Sequence, residues 1–274
     1  MKAKDVIFVY KYNLSIIKNI MSLSVEKLDN AILIGNIHQK NIYFVPPSKE
    51  IPKNERIKYM EFDKEISAIP YINQNANQRS ASFISGISGS GKSTMAAKLI
   101  KKIRRVRQDR HKEIVVFSSG SIADPVWDQF EDIEIIDMTD PRFLEIEIED
   151  LESMIVIFDD HENISDKELR KYIQHFQKDC LERTRKLEVD IIFINHMSQN
   201  YNVTKGLIFE ADTFYLNVAA NRNASIRFLK SYSHLTKKQL AELDAYEFSS
   251  EFNFVTFRKS YPSYIIVENS IQLL

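Results

Sequence analysis

A chain of 274 residues, 44% hydrophobic and 27% charged, has a globular composition and room for one good-sized α/β domain with a smaller appendage. Its net charge of −1 supplies no whole-molecule attraction for nucleic acid, so any such contact must come from a local patch. The single cysteine, Cys180, excludes an intramolecular disulfide and fits a reducing compartment, and no apolar run approaches the ~18 residues of a membrane span.

Residues 1–72 read as a small β-rich N-terminal region. The early acid Asp5 and the strand-like Val6-Ile7-Phe8-Val9-Tyr10 argue against a signal peptide. Ala31–Ile37 and Asn41–Val45 flank His38-Gln39-Lys40 as a predicted hairpin, and Pro46-Pro47 ends its second strand because proline cannot donate to a ladder. The polar stretch 73–80 reads as a linker.

From residue 81 to 274 strands and helices alternate, the pattern of a mostly parallel sheet flanked by helices. Ala81–Ser85 is the first predicted strand. A helix follows over Lys92–Gln108, with Met95, Leu99, Ile103 and Val106 on one face. Further strands are expected at Glu113–Ser118 and Ile133–Met138. Met154–Phe158 is a continuous apolar run, as a strand buried on both faces requires, and it ends in Asp159-Asp160. Ser165 and Glu168 read as a capping box opening a helix whose stripe is Leu169, Ile173, Phe176, Cys180 and Leu187. Asp190–Ile194 is the next buried strand, ending in Asn195-His196, and Asp212–Val218 is another. Thr236 and Gln239 cap a short helix, and strands at Phe252–Phe257 and Tyr264–Val267 close the chain.

There are six glycines, far below the usual ~7%, and Gly86, Gly89 and Gly91 fall together. Rationed glycines clustered in this way mark backbone of unusual geometry. The run Gly86-Ile87-Ser88-Gly89-Ser90-Gly91-Lys92-Ser93-Thr94 matches G-x-x-x-x-G-K-[ST] between a strand and an amphipathic helix. Small residues there let successive N–H groups curl around a phosphate at the helix N-terminus. ATP is the expected ligand, with Lys92 reaching the β- and γ-phosphates and the Ser93 hydroxyl on Mg²⁺.

Asp159 is expected to stand beside this loop, its strand pairing with the loop's strand, and to hold the Mg²⁺ through water. Asp160 is the candidate to polarise the attacking water, with Glu162 as a second candidate; paired acids also suit a plain strand end. Asn195 is placed to sense the γ-phosphate, or simply to form a turn. Arg183 and Arg185, and less directly Arg222 in the predicted loop 219–223, are candidates for an arginine finger on a neighbouring subunit's ATP; cations equally suit a helix end. Lys98, Lys101, Lys102 and Arg105 share the helix face opposite the apolar stripe, either a solvated face or a contact for DNA phosphates. The histidines lack metal-ligand spacing, and no zinc is expected.

Taken together, Gly86–Thr94, Val116–Ser118, Met154–Asp160 and Asp190–His196 resemble the FtsK–HerA ATPases. Within them, the DNA-packaging ATPases of large double-stranded DNA viruses and virophages, the poxvirus type included, are the most similar branch. Leu235–Leu240 and Phe257–Tyr264 resemble that branch as well, so the likeness runs over roughly residues 80–274. In this sequence Asn stands at the sensor position, often Gln or Ser in those ATPases, and Lys186-Leu187 follow Arg185 where His or Asn is usual. The resemblance implies a RecA-like P-loop domain assembled as a homo-oligomeric ring. ATP hydrolysis at its interfaces would drive double-stranded DNA into a capsid, in contact with capsid proteins, in the host cytoplasm or viral factory. Two other readings of the loop remain: a kinase phosphorylating a nucleoside or metabolite, and a non-hydrolysing module gated by ATP.

Overall fold

The computed structural model describes residues 22–28, 30–37, 40–46, 57–70, 79–109, 112–120, 124–161, 164–196 and 201–274. The predicted strand at 6–10, the turn residues His38 and Gln39, and Glu162 lie outside them.

The predicted hairpin forms as β2 (Ile32–Ile37) and β3 (Lys40–Val45), paired antiparallel. β1 (Ser22–Ser24) adds to β3, and β5 (Ser67–Ala68) adds to β2. A second segment from this part of the chain, β4 (Tyr59–Glu61), leaves the small sheet and joins the edge of a larger one.

Among the described residues the large sheet has ten strands. Its parallel half contains β6 (Ala81–Ser85), β7 (Ile114–Ser118), β8 (Ile133–Asp137), β9 (Ile155–Asp159), β10 (Asp190–Asn195) and β11 (Thr213–Leu216). The antiparallel half adds β12 (Val255–Arg258), β13 (Tyr264–Val267) and β14 (Ser270–Leu273) before β4. The order is β4-β14-β13-β12-β11-β6-β10-β9-β7-β8. The continuous apolar runs of the central strands divide between two faces with the strand period of two. Phe83, Val156, Phe158, Ile191 and Phe193 point into one core; Ile84, Ile155, Ile157, Ile192 and Ile194 point into the other.

The first core is covered by α2 (Lys167–Arg183), α3 (Tyr201–Glu210), α4 (Arg222–Tyr232) and α5 (Lys237–Asp244), through residues such as Phe176, Leu207, Phe228 and Leu240. On the opposite face, Ala96, Leu99, Ile100 and Ile103 of α1 (Lys92–Arg107) share a core with Leu23, Ile34, Ile42 and Phe44 of the small sheet. The small sheet thus backs the first helix. Among the described residues no helix is long and apolar enough to cross a membrane.

Local readings need several corrections. The cap of α2 is Asp166, one residue after Ser165: its Oδ1 accepts from the backbone N–H groups of Glu168 and Leu169 at 2.8 and 2.9 Å. A carboxylate at that point satisfies two orphan donors and also complements the helix dipole, which a hydroxyl cannot do. The segment 219–223, read as a loop, opens α4 at Arg222. The strand expected from Phe252 begins only at Val255. The box at Thr236 and Gln239 forms as read, with the Thr236 N–H donating to Gln239 Oε1 at 2.8 Å.

One polar cluster ties the base of the sheet. Asp190 is fully buried at the start of β10, and its carboxylate accepts from Arg107 Nη2 (2.8 Å), Lys112 Nζ (3.0 Å) and the Ser80 backbone N–H (2.9 Å). Removing one partner of a buried ion pair leaves its counter-charges desolvated in place. Asp190→Ala should therefore lower unfolding stability by about 3–5 kcal/mol in a urea titration, whereas Lys171→Ala, whose ion pair with Glu168 is exposed, should change it by less than about 1 kcal/mol.

Candidate functional site

The glycine loop leaves β6 and enters α1 as predicted. Gly89 and Gly91 have φ of 76° and 83°, the left-handed region that favours glycine. Gly91 is the N-cap of α1, no side chain caps that end, and its first turn carries no acid. The positive end of the helix dipole and its N–H groups are therefore open to an anion. Gly86 is needed for a different reason. A Cβ there would stand 2.4 Å from Ser90 Oγ and 3.0 Å from Asn217 Cβ, so the loop closes against Asn217 only with glycine. Ser88 and Gly89 are exposed at the crest, Thr94 is exposed on α1, and Ser93 is half-buried. Lys92 is buried, and its ammonium donates to the Ile87 carbonyl at 3.1 Å, lying across the loop.

The expected pairing of the Asp159 strand with the loop strand is not what forms. β10 runs between them, parallel to both. Its register sets Asn195 beside Ser85 and Ile194 beside Asp159, and its carbonyls are shared out to the neighbours. The Gly86 N–H donates to the Asn195 carbonyl at 3.4 Å and the Asp160 N–H to the Ile194 carbonyl at 3.2 Å. Three strand ends, carrying the loop, Asn195 and the acid pair, are thus held in one row. The sequence could not supply this order, because β9 and β10 are equally apolar and either could have stood next to β6.

The electrostatics of the row are uncompensated. Burial pushes the Asp159 carboxyl up to about 7, and Asp160 and Asp124 add to the rise while Lys92 opposes it. Asp160 sits at φ 50°, a left-handed conformation unusual outside glycine, asparagine and aspartate. His196 Nε2 lies 3.2 and 3.3 Å from its two carboxylate oxygens. His161 is wholly buried, and burial holds its imidazole down to about 4, against the pull of Asp160. Asn195 is also wholly buried, and neither its amide nitrogen nor its oxygen has a hydrogen-bond partner among the described residues. Ser90 Oγ is in the same condition. Buried polar atoms left unsatisfied are uncommon, and these stand in the glycine loop and at the strand end beside it.

A Mg²⁺ fits this donor set. Among the described residues no group of three or more His, Cys, Asp or Glu side chains is gathered to hold a metal by itself. Ser93 and Asp159 would supply protein oxygens, with the remaining ligands drawn from phosphate and water, the usual preference of this ion.

Arg183 and Arg222 are engaged away from this row. Arg183 ends α2, before β10 begins, and pairs with Glu149. Strands of five residues put it roughly 17 Å from the phosphate end of its own chain. Arg185 lies in the short 3-10 turn Thr184–Leu187 that follows. Arg222 donates to the carbonyls of Asp244 and Tyr246 and lies 5.8 Å from the Phe248 ring centre, closing the end of α5. On α1, Lys98, Lys101 and Arg105 are exposed, but Lys102 is not: its ammonium donates to the Ala68 carbonyl at 2.5 Å, and burial lowers it to about 8. The small sheet covers that side of the helix, which the sequence pattern of α1 could not disclose.

Residues given no role from the sequence are also present. His196 grips Asp160, and Asn217 walls the loop at Gly86. Both had a usable signal, since each is a polar residue that directly follows a buried strand, His196 after β10 and Asn217 after β11.

Because the Asp159 carboxyl is raised in the fold above its ordinary 3.8, the folded state holds that proton more tightly than the unfolded chain. Its contribution to stability is complete below about pH 4 and is lost as pH rises through about 7. Without nucleotide or divalent cation, Asp159→Asn should match the parent near pH 4 and exceed it by about 2–4 kcal/mol at pH 8 in urea unfolding.

No family model matches the chain. It is 29% identical over 217 residues to the uncharacterized protein V3 of Sputnik virophage, covering 75% of this chain and 81% of that protein. Among solved structures it is similar to the genome packaging NTPase of Sulfolobus turreted icosahedral virus 2, at 10% identity and a TM-score of 0.47, over 72% of this chain and 97% of that one. It is also similar to the conjugation coupling protein TcpA of pCW3, at 12% identity and a TM-score of 0.49, over 87% of this chain and 76% of that one. From its own loop, strand order and helix placement, the chain has the α/β fold of a P-loop NTPase.

Proposed function

We propose that this protein is an ATP-hydrolysing motor of the FtsK–HerA type that translocates double-stranded DNA, and that its task is to package a viral genome into a capsid. The observation that carries the ATPase reading is the row of strand ends: the open glycine cradle, the raised Asp159 carboxyl and the unsatisfied Asn195 amide. The motor reading is supported by the resemblance over residues 80–274, and the viral setting by the likeness to a virophage protein. In this reading residues 81–274 are the ATPase domain and residues 1–72 a β-rich region, whose described strands β1, β2, β3 and β5 back α1.

The roles follow from position. The N–H groups of residues 86–94 and the Lys92 ammonium bind the phosphates, the lysine giving up its contact with the Ile87 carbonyl to do so. Bound Mg²⁺ would neutralise phosphate charge beside Ser93 and Asp159, and it would return the Asp159 carboxyl to its ionised form. Asp160 accepts the proton of the attacking water, held in orientation by His196. Asn195 donates its amide to the γ-phosphate and reports its loss along β10. Arg183 and Arg185, remote from their own chain's loop, act on a neighbour's ATP in a homo-oligomeric ring. The exposed Lys98, Lys101 and Arg105 are candidates to meet DNA phosphates. The protein would work in the host cytoplasm or viral factory, in contact with capsid proteins.

Steady-state ATPase activity with Mg²⁺, with and without long double-stranded DNA, tests this reading. Turnover should rise with DNA and vanish in Lys92→Ala. Asp160→Asn should lower kcat by about 10²–10⁴-fold while ATP still binds. Lys92-dependent turnover indifferent to DNA would remove the motor reading and leave an ATPase. Transfer of phosphate to nucleosides without hydrolysis would replace it with a kinase.

A further inference from the structure

The glycine loop is bordered by an exposed aromatic ring that none of the roles above uses. Phe252 is 55% exposed, and its Cδ1 lies 3.8 Å from where a Cβ on Gly91 would stand. Single exposed apolar side chains are ordinary on protein surfaces. This one is distinguished by where it stands and by how firmly its loop is held. The Glu251 carbonyl accepts from Asn217 Nδ2 at 2.8 Å, and Asn217 is the residue that closes on Gly86. The Phe252 N–H donates to Ser250 Oγ at 3.2 Å. On the other side, the Glu268 carboxylate gathers the Ser249 N–H at 2.7 Å, the Ser249 hydroxyl at 2.9 Å, the Tyr246 hydroxyl at 2.9 Å and the Asn253 amide. The segment 246–253 is therefore clamped between the glycine loop and the turn after β13. It presents Phe252 next to the last glycine of the cradle, with more than half of that side chain in water.

A nucleotide whose phosphates fill the cradle leaves its ribose and base at the rim, because the N–H groups that bind it are all directed at phosphate oxygens. A flat base at such a rim gains most from an aromatic surface, and stacking of this kind tolerates any base while favouring the larger purines.

We propose that Phe252 is the base-stacking platform of the site, taking the purine ring of the nucleotide whose phosphates lie in the 86–94 loop. The inference rests on the nucleotide-binding reading of that loop. It implies that the protein accepts ATP and GTP alike and binds CTP and UTP more weakly, since stacking reads ring area and not the pattern of hydrogen-bonding groups.

The test is equilibrium binding by calorimetry on the full chain with Mg²⁺, using ATP, CTP and inorganic tripolyphosphate, for the parent, Phe252→Ala, Phe252→Trp and Lys92→Ala. Phe252→Ala should weaken ATP by about tenfold or more, leave tripolyphosphate unchanged, and reduce the preference of ATP over CTP, while Phe252→Trp keeps parental affinity. Unchanged ATP affinity in Phe252→Ala, with Lys92→Ala abolishing binding, would overturn this inference and leave the nucleotide site standing. Equal loss of ATP and tripolyphosphate in Phe252→Ala would also overturn it, since the ring would then merely support the loop. A parent that binds neither ATP nor tripolyphosphate, or a Lys92→Ala variant that binds both normally, would remove the nucleotide site and this inference together.

Discussion

The site depends on β10 lying between the strand that carries the glycine loop and the strand that carries the acids. Parallel strands stand about 4.8 Å apart, so this one insertion spaces Asp159 two strands from Ser85 and opens a gap between loop and carboxylate. Asn195 ends the middle strand of the row, wholly buried. With β6 and β9 adjacent there would be no central strand to carry a buried amide to the same edge. The apolar character of β10, buried on both faces from Asp190 to Asn195, is what allows it to occupy the centre of the sheet.

Electrostatic discomfort is concentrated at that edge. Asp159 is raised by burial, Asp160 is held in a left-handed backbone conformation, and Asn195 and Ser90 keep buried polar atoms without partners among the described residues. At the other end of the same strands the opposite holds, with Asp190 meeting two cations and a backbone N–H. The contrast between the fully paired Asp190 at the base and the unpaired Asn195 amide at the rim of the same strand is the arrangement expected when stability is supplied away from the place where a ligand acts.

Much of this was legible in the residues. The glycine loop, its strand and its helix were marked by a motif with a mechanism, and the buried strands ending in Asp159 and Asn195 by the apolar runs Met154–Phe158 and Ile191–Ile194. What escaped was whatever depends on partners distant in sequence. The strand order, the burial of Lys102 under the small sheet and the engagement of Arg222 at the end of α5 are contacts made across the fold, and periodicity within one segment carries no trace of them. The shift of the α2 cap from Ser165 to Asp166 is a local miss of another kind, where two capping residues stood side by side and the charged one prevailed. The strand β14, between β13 and the edge strand β4, was overlooked because four residues of mixed polarity, Ser270–Leu273, give too short a pattern to distinguish from a tail.

The cluster around Asp190 has a mechanical meaning as well as an energetic one. Ser80 precedes β6 and Arg107 ends α1, so the strand and helix that flank the glycine loop are both tied at their far ends to one carboxylate at the foot of β10. The ladder continues from that foot to the loop itself, with Ser85 paired to Asn195 and the Gly86 N–H on the Asn195 carbonyl, so the height of the glycine loop relative to the acid-bearing strand end is fixed by one carboxylate at the opposite end of the sheet.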